Sequence, residues 1–242
     1  MQTIGIDLAA QPERTAVARI EWTAGGASVA ELAVGADDDA ILGHLRSGNL
    51  TGIDCPLGWP APFVEFVHAH AHGVLHQLPE LPPRRELVLR RTDVRVHETT
   101  GLLPLSVAAD RIAHPALRLA AILARVGPGV DLARDGSGSI AEVYPAASLR
   151  VWGFPHRRYK GRDGAAVRRA IVVGLQEQAP WLDLAGNEAA CLAGDDALDA
   201  VVCALAARAV ALGLTEGPDE KTTALSEGWI HVPTTPLAAL RG

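Results

Sequence analysis

The chain has 242 residues, 48% of them hydrophobic and 21% charged, with a formal net charge of −6. That is enough apolar material to bury one sizeable core, and the acidic balance excludes a broadly basic nucleic-acid coat. No apolar run approaches the roughly 20 residues a membrane helix needs, so no membrane partner is expected.

Met1-Gln2-Thr3 leads straight into a strand, without the basic and apolar regions of a signal peptide, so a cytoplasmic protein is expected. Thr3 to Leu8 reads as a central, buried first strand. Thr15 to Trp22 alternates as a second strand, Gly25-Gly26 makes a turn, and Ser28 to Val34 returns as a third. Short turns between the three indicate an antiparallel meander. Asp37-Asp38-Asp39 caps a helix running to about Arg46, because acidic residues favour a helix N-terminus. Leu50 to Asp54 is a fourth strand, parallel to the first because a helix crosses between them.

Residues 56–135 read as an insertion and helical elaboration within one domain spanning 1–242. Pro60, Pro62, Pro79, Pro82 and Pro83 punctuate it, and Phe63 to Leu75 has helical character. His68, His70, His72 and His76 suggest a zinc cluster by spacing, but no zincin glutamate or cysteine partner accompanies them, which favours exposed helix histidines. Leu117 to Val126 is a helix ended by Gly127-Pro128-Gly129. Ser139 to Tyr144 is a fifth strand closed by Pro145, with a helix around Ser148 and Leu149 after it. Gly164 to Gln178 and Glu188 to Leu212 are further helices, the latter with a break at Gly194, and Ser226 to Val232 is a short terminal extended segment.

Carboxylates stand in expensive places along this path. Asp7, Asp54 and Glu142 end apolar, strand-like runs, and Asp196 and Asp199 lie three residues apart on an Ala/Val/Leu-rich helix. A carboxylate facing a core is paired, protonated or bound to a cation. Convergence on a divalent metal explains all five, with Asp7, Glu142, Asp196 and Asp199 as ligands, Asp7 bridging, and Asp54 at the rim. The competing readings are an Asx turn for Asp54, a pair with an arginine such as Arg150 for Glu142, and a solvated acidic face for the helix pair. Asp195 faces elsewhere on the helix and is left out.

Arginines cluster at Arg84-Arg85, Arg90-Arg91 and Arg95, and basic residues again from His156 to Arg169. Within them Arg91, Arg158 and Lys160 are candidate phosphate ligands, with Asp93 orienting Arg91 or adding a carboxylate; the alternative is ordinary surface charge. Of the three cysteines, Cys191 and Cys203 read as small buried hydrophobes, while Cys55 follows Asp54 without any local signature of a nucleophile.

Gly5-Ile6-Asp7, Ile53-Asp54-Cys55-Pro56-Leu57-Gly58, Arg91-Thr92-Asp93, Glu142-Val143-Tyr144-Pro145-Ala146, Asp196-Ala197-Leu198-Asp199-Ala200 and Glu227-Gly228-Trp229-Ile230-His231-Val232-Pro233 occur in that order. In this the chain resembles the family catalogued as domain of unknown function 429, described as predicted nucleases of the ribonuclease H-like fold. The resemblance implies an α/β fold with a mixed five-stranded sheet, the first three strands antiparallel and two more parallel to the first, flanked by helices. It also implies a hydrolase that cleaves nucleic acid with Mg2+ or Mn2+. Two other classes stay open. One is a nucleotide-binding phosphotransferase or ATPase of the same superfold, for which Gly136-Ser137-Gly138 is a weak phosphate loop because it precedes its strand. The other is a non-catalytic binding scaffold.

Overall fold

The computed structural model describes residues 1–241. Its elements in chain order begin with β1 (Gln2–Asp7), β2 (Ala16–Trp22), β3 (Ala27–Val34), α1 (Asp38–Arg46) and β4 (Leu50–Asp54). The elaboration supplies α2 (Ala61–Ala71), α3 (Arg84–Val88), α4 (Arg91–Thr100) and α5 (Ala113–Ala124). Then follow β5 (Ile140–Glu142), α6 (Pro145–Val151), α7 (Ala165–Gln178), β6 (Leu182–Asp183), α8 (Glu188–Ala193), α9 (Asp195–Ala211) and α10 (Lys221–Glu227).

The strands form one mixed sheet in the order β5-β4-β1-β2-β3-β6. β1, β2 and β3 pair antiparallel, while β4 joins β1 in parallel and β5 joins β4 in parallel. The sheet therefore has six strands where five are expected. The addition is the two-residue β6, parallel to β3, too short to leave a periodic signal. The terminal extended segment contributes a bridge from Ile230 to Glu142 rather than a strand. Asp37 caps α1 as its position predicts, accepting from the Ala40 N–H at 2.9 Å. Gly194, with extended backbone, separates α8 from α9.

Alternation along the strands divides the core between two faces. Ile4, Ile6, Val17 and Ile53 pack with Ile41, Leu45, Leu119 and Ile122 of α1 and α5. Ala16, Ala18 and Ile20 pack on the other face with α6, α7 and α9. α9 is buried all round, which only its run of small and branched apolar residues permits. Gly5 and Gly52 let it come close: a Cβ at Gly5 would stand 2.0 Å from the Ala200 carbonyl oxygen, and one at Gly52 2.5 Å from that of Cys203. Among the described residues, no helix is long and apolar enough to cross a membrane.

Candidate metal centre

In the parallel pair β1 and β4, Gly5 is in register with Gly52 and Asp7 with Asp54. The same two-residue period that sends Ile4, Ile6 and Ile53 toward α1 and α5 turns both aspartates to the α9 face. Asp199 meets them there from the N-terminal half of α9. One oxygen from each of Asp7, Asp54 and Asp199 lies within 4.8 Å of the other two.

These carboxylates perturb one another. Burial pushes Asp54 up to about 7, with Asp199 and Glu142 adding to the rise and Lys160 opposing it. Burial, then Asp199 and Asp54, hold Asp7 well above the ordinary carboxylate range. Asp199 is fully buried and also raised by its burial, against the pull of Lys160. Its Oδ1 accepts a hydrogen bond from the Tyr159 hydroxyl at 2.9 Å. Its Oδ2 lies 2.7 Å from Lys160 Nζ and pairs with that ammonium. Burial works against the Lys160 charge, but Asp199 and its acidic neighbours outweigh it and stabilise the ammonium.

Two expected ligands stand outside this triad. Glu142, at the end of β5, is held by Arg90: Nη2 donates to Oε1 at 2.7 Å and Nη1 to Oε2 at 2.8 Å, while the Leu57 N–H donates to Oε2 at 3.0 Å. Asp196 is held by Arg14, with Nε donating to Oδ2 at 2.8 Å and Nη2 to Oδ1 at 2.9 Å. Three residues of helix leave side chains about 60° apart in direction, enough to send Asp199 to the strand ends and Asp196 to the loop after β1. Asp54, expected at the rim, is a full member instead. Asp195 accepts from the Gly161 N–H at 2.9 Å.

Arg91-Thr92-Asp93 is divided as well. Arg91 is exposed and pairs with Asp219, whereas Asp93 is buried and accepts from Arg90 Nη2 at 2.9 Å and from the Arg90 N–H at 2.9 Å. Neither lies at the triad. Arg90, 1% exposed, directs its remaining Nη1 contact at the Glu227 carbonyl oxygen, so every N–H of its guanidinium is engaged. Removing one partner from such a buried cluster costs on the order of 3–5 kcal/mol because uncompensated charge remains. Sequence reasoning named Arg90 in a cluster and Glu227 in a motif without finding these roles: Glu227 Oε1 accepts from the first N–H of α2 and Oε2 from the first N–H of α4. Both helix N-termini favour that anion. Neither role has a local signal, since the partners are far apart in sequence.

A cavity of about 420 Å3 opens beside the triad, its lining including Asp54, Tyr144, Arg157, Arg158, Lys160 and Arg111. Arg158 adopts the left-handed backbone region with φ 61°, uncommon for a residue with a Cβ. A second hollow of about 560 Å3 shares Leu105, Arg111, Ile112 and Lys160 with the first and extends to Arg14 and Asp195. The four histidines of α2 and the turn after it are exposed; the His68 and His72 rings lie 4.3 Å apart, tilted by 31°. Cys55 is buried, and burial raises its thiol well above the ordinary range. The glycine of the weak phosphate loop, Gly136, is a packing residue: a Cβ there would meet His231 Nε2 at 2.0 Å.

The donor set fits a hard cation. Three carboxylates crowd together, and burial and neighbouring negative charge raise both Asp7 and Asp54. All-oxygen ligands select Mg2+ or Mn2+ over softer metals. No curated protein and no solved structure matches the chain. The model of the family described as a protein of unknown function (DUF429) matches residues 5–223, a span that contains Asp7, Asp54, Glu142 and Asp199 and most of the sequence, and the chain belongs to that family.

Proposed function

We propose that the chain is a nuclease of ribonuclease H-like fold, a hydrolase that cleaves phosphodiester bonds of nucleic acid with Mg2+ or Mn2+ held by Asp7, Asp54 and Asp199. The observation that carries this reading is the mutual approach of the three carboxylate oxygens within 4.8 Å, beside a hollow with a basic lining. The fold assignment is supported by the antiparallel β1-β2-β3 meander with β4 and β5 added in parallel on the other side of β1. When bound, a divalent ion supplies Lewis-acid charge at a phosphoryl oxygen and makes a bound water a stronger nucleophile.

The remaining work belongs to the protein's own side chains. Arg157, Arg158 and Arg111 offer guanidinium groups along the hollow, where planar donors match phosphate oxygens. Leu105, Ile112 and Tyr144 give the same hollow an apolar wall against which a base or sugar packs and displaces water. Arg90 does not reach for substrate: it holds Glu142, which in turn fixes the Leu57 backbone just beyond β4 and Asp54. Its place is to position the loop carrying one wall of the site.

The test is metal-dependent cleavage of labelled DNA and RNA oligonucleotides by the wild-type protein and by Asp7→Asn. Wild type is expected to cleave with Mg2+ or Mn2+, and Asp7→Asn to lose at least a hundredfold in rate while keeping its fold by circular dichroism. If wild type leaves a broad substrate panel intact, or Asp7→Asn cleaves as fast, the catalytic assignment fails. A thermal shift with free nucleotides and no cleavage would favour the phosphotransferase class instead.

A further inference from the structure

We propose that the centre takes a single divalent cation and that the ammonium of Lys160 is its second positive charge; this rests on the metal-site reading above. Two-ion centres need enough anionic ligands to compensate two ions. Of the acidic residues that the sequence brings toward this end of the sheet, most are already engaged by the chain itself. Glu142 is held by Arg90 through both oxygens, Asp196 by Arg14 through both oxygens, and Asp195 accepts from the Gly161 N–H. The acids left for metal are Asp7 and Asp54, together with Asp199, whose two oxygens are met by the Tyr159 hydroxyl and the Lys160 ammonium.

Lys160 alters the count further. Among the described residues it is the one cationic side chain in ion-pair contact with a triad carboxylate, at 2.7 Å from Asp199 Oδ2. Three carboxylates and one ammonium leave two net negative charges, which one divalent ion neutralises. A second ion would leave the same partly buried group strongly positive, and uncompensated charge there is costly. The position of Lys160 suits the role: it lines both hollows, and Asp54 lines the first with it. The lysine thereby acts as a built-in cation beside Asp199, with the metal shared by all three acids.

Titration with Mn2+, followed by calorimetry and by the loss of the free-ion electron paramagnetic signal, reads the stoichiometry without any appeal to activity. Wild type is expected to bind one ion per chain, and Asp199→Asn to weaken that binding at least tenfold. The double variant Arg14→Met, Lys160→Met frees Asp196 and Asp199 Oδ2 together and is expected to bind two. Both replaced side chains are more than half exposed, 61% and 52%, but Lys160→Met leaves the buried Asp199 Oδ2 without its ammonium, so circular dichroism accompanies the titration to check that the variant is folded. A wild-type stoichiometry of two, or a double variant that stays at one, overturns the role of Lys160 while leaving the metal site in place. A wild-type protein that binds no Mn2+ removes the metal reading and this inference with it.

Discussion

Asp54 is the carboxyl of the triad with its protonation balanced near neutrality, pushed up to about 7 by burial. Its folded value lies above the unfolded one, so between about pH 4 and 7 the folded state holds a proton that the unfolded chain has released. The associated stability is fully present below the unfolded value and is lost as pH rises through the folded one. Asp7 and Asp199, both raised, act in the same direction. Metal-free wild type is therefore expected to melt at a lower temperature at pH 8 than at pH 5, Asp54→Asn to show a shallower decline, and Mn2+ to oppose the decline; superimposable pH profiles for the two proteins would remove this account of Asp54. Which acids matter was partly legible from the residues alone, because Asp7, Asp54 and Asp199 each end or interrupt an apolar run. Glu142 and Asp196 give the same local signal yet are engaged elsewhere, since Arg90 lies 52 positions from Glu142 and Arg14 lies 182 from Asp196. Such pairings are set by tertiary packing and leave no trace in spacing.

The elements that bring the triad together depend on how near α9 lies to β1 and β4. Any side chain at Gly5 meets backbone of α9, which cannot rotate aside as a flexible side chain does. Gly5→Ala is accordingly expected to destabilise the protein by about 1–3 kcal/mol or more through overpacking. It should also weaken Mn2+ binding, because the helix carrying Asp199 must move away from the strand carrying Asp7. Urea unfolding together with the Mn2+ titration checks both, and a variant of wild-type stability would show that the packing has slack. Most of these elements were readable from alternation, caps and glycine breaks: the Asp37 cap, the break at Gly194 and the parallel approach of the Asp7 and Asp54 strands all lie where the pattern put them. The sixth strand was not, because two residues carry no period and its pairing with Ala27 and Ser28 is purely tertiary.

Across the whole molecule, a net charge of −6 surrounds a basic-lined hollow, so contact with a polyanion must be local. Binding of a single-stranded oligonucleotide by the Asp7→Asn protein is expected to weaken with salt at a log–log slope of roughly −2, about −0.7 for each of some three phosphates. A slope steeper than about −6 would indicate a broad basic surface and contradict the groove. The elaboration is tied to the sheet through Arg90 on Glu142 and through Glu227 at the starts of α2 and α4. One wall of the site is thus secured by helices that the bare strand pattern does not call for. The two halves of the centre also differ in the reach of their side chains. Asp7 rides on β1, bonded to a neighbour along each edge and packed by helices above and below, whereas Lys160 carries its ammonium on a flexible four-carbon stem from a stretch between α6 and α7 whose flanking carbonyls Arg168 holds. A ligand must therefore conform to the carboxylates, while the ammonium can conform to the ligand, which makes the acidic side the selective one and the basic side the tolerant one.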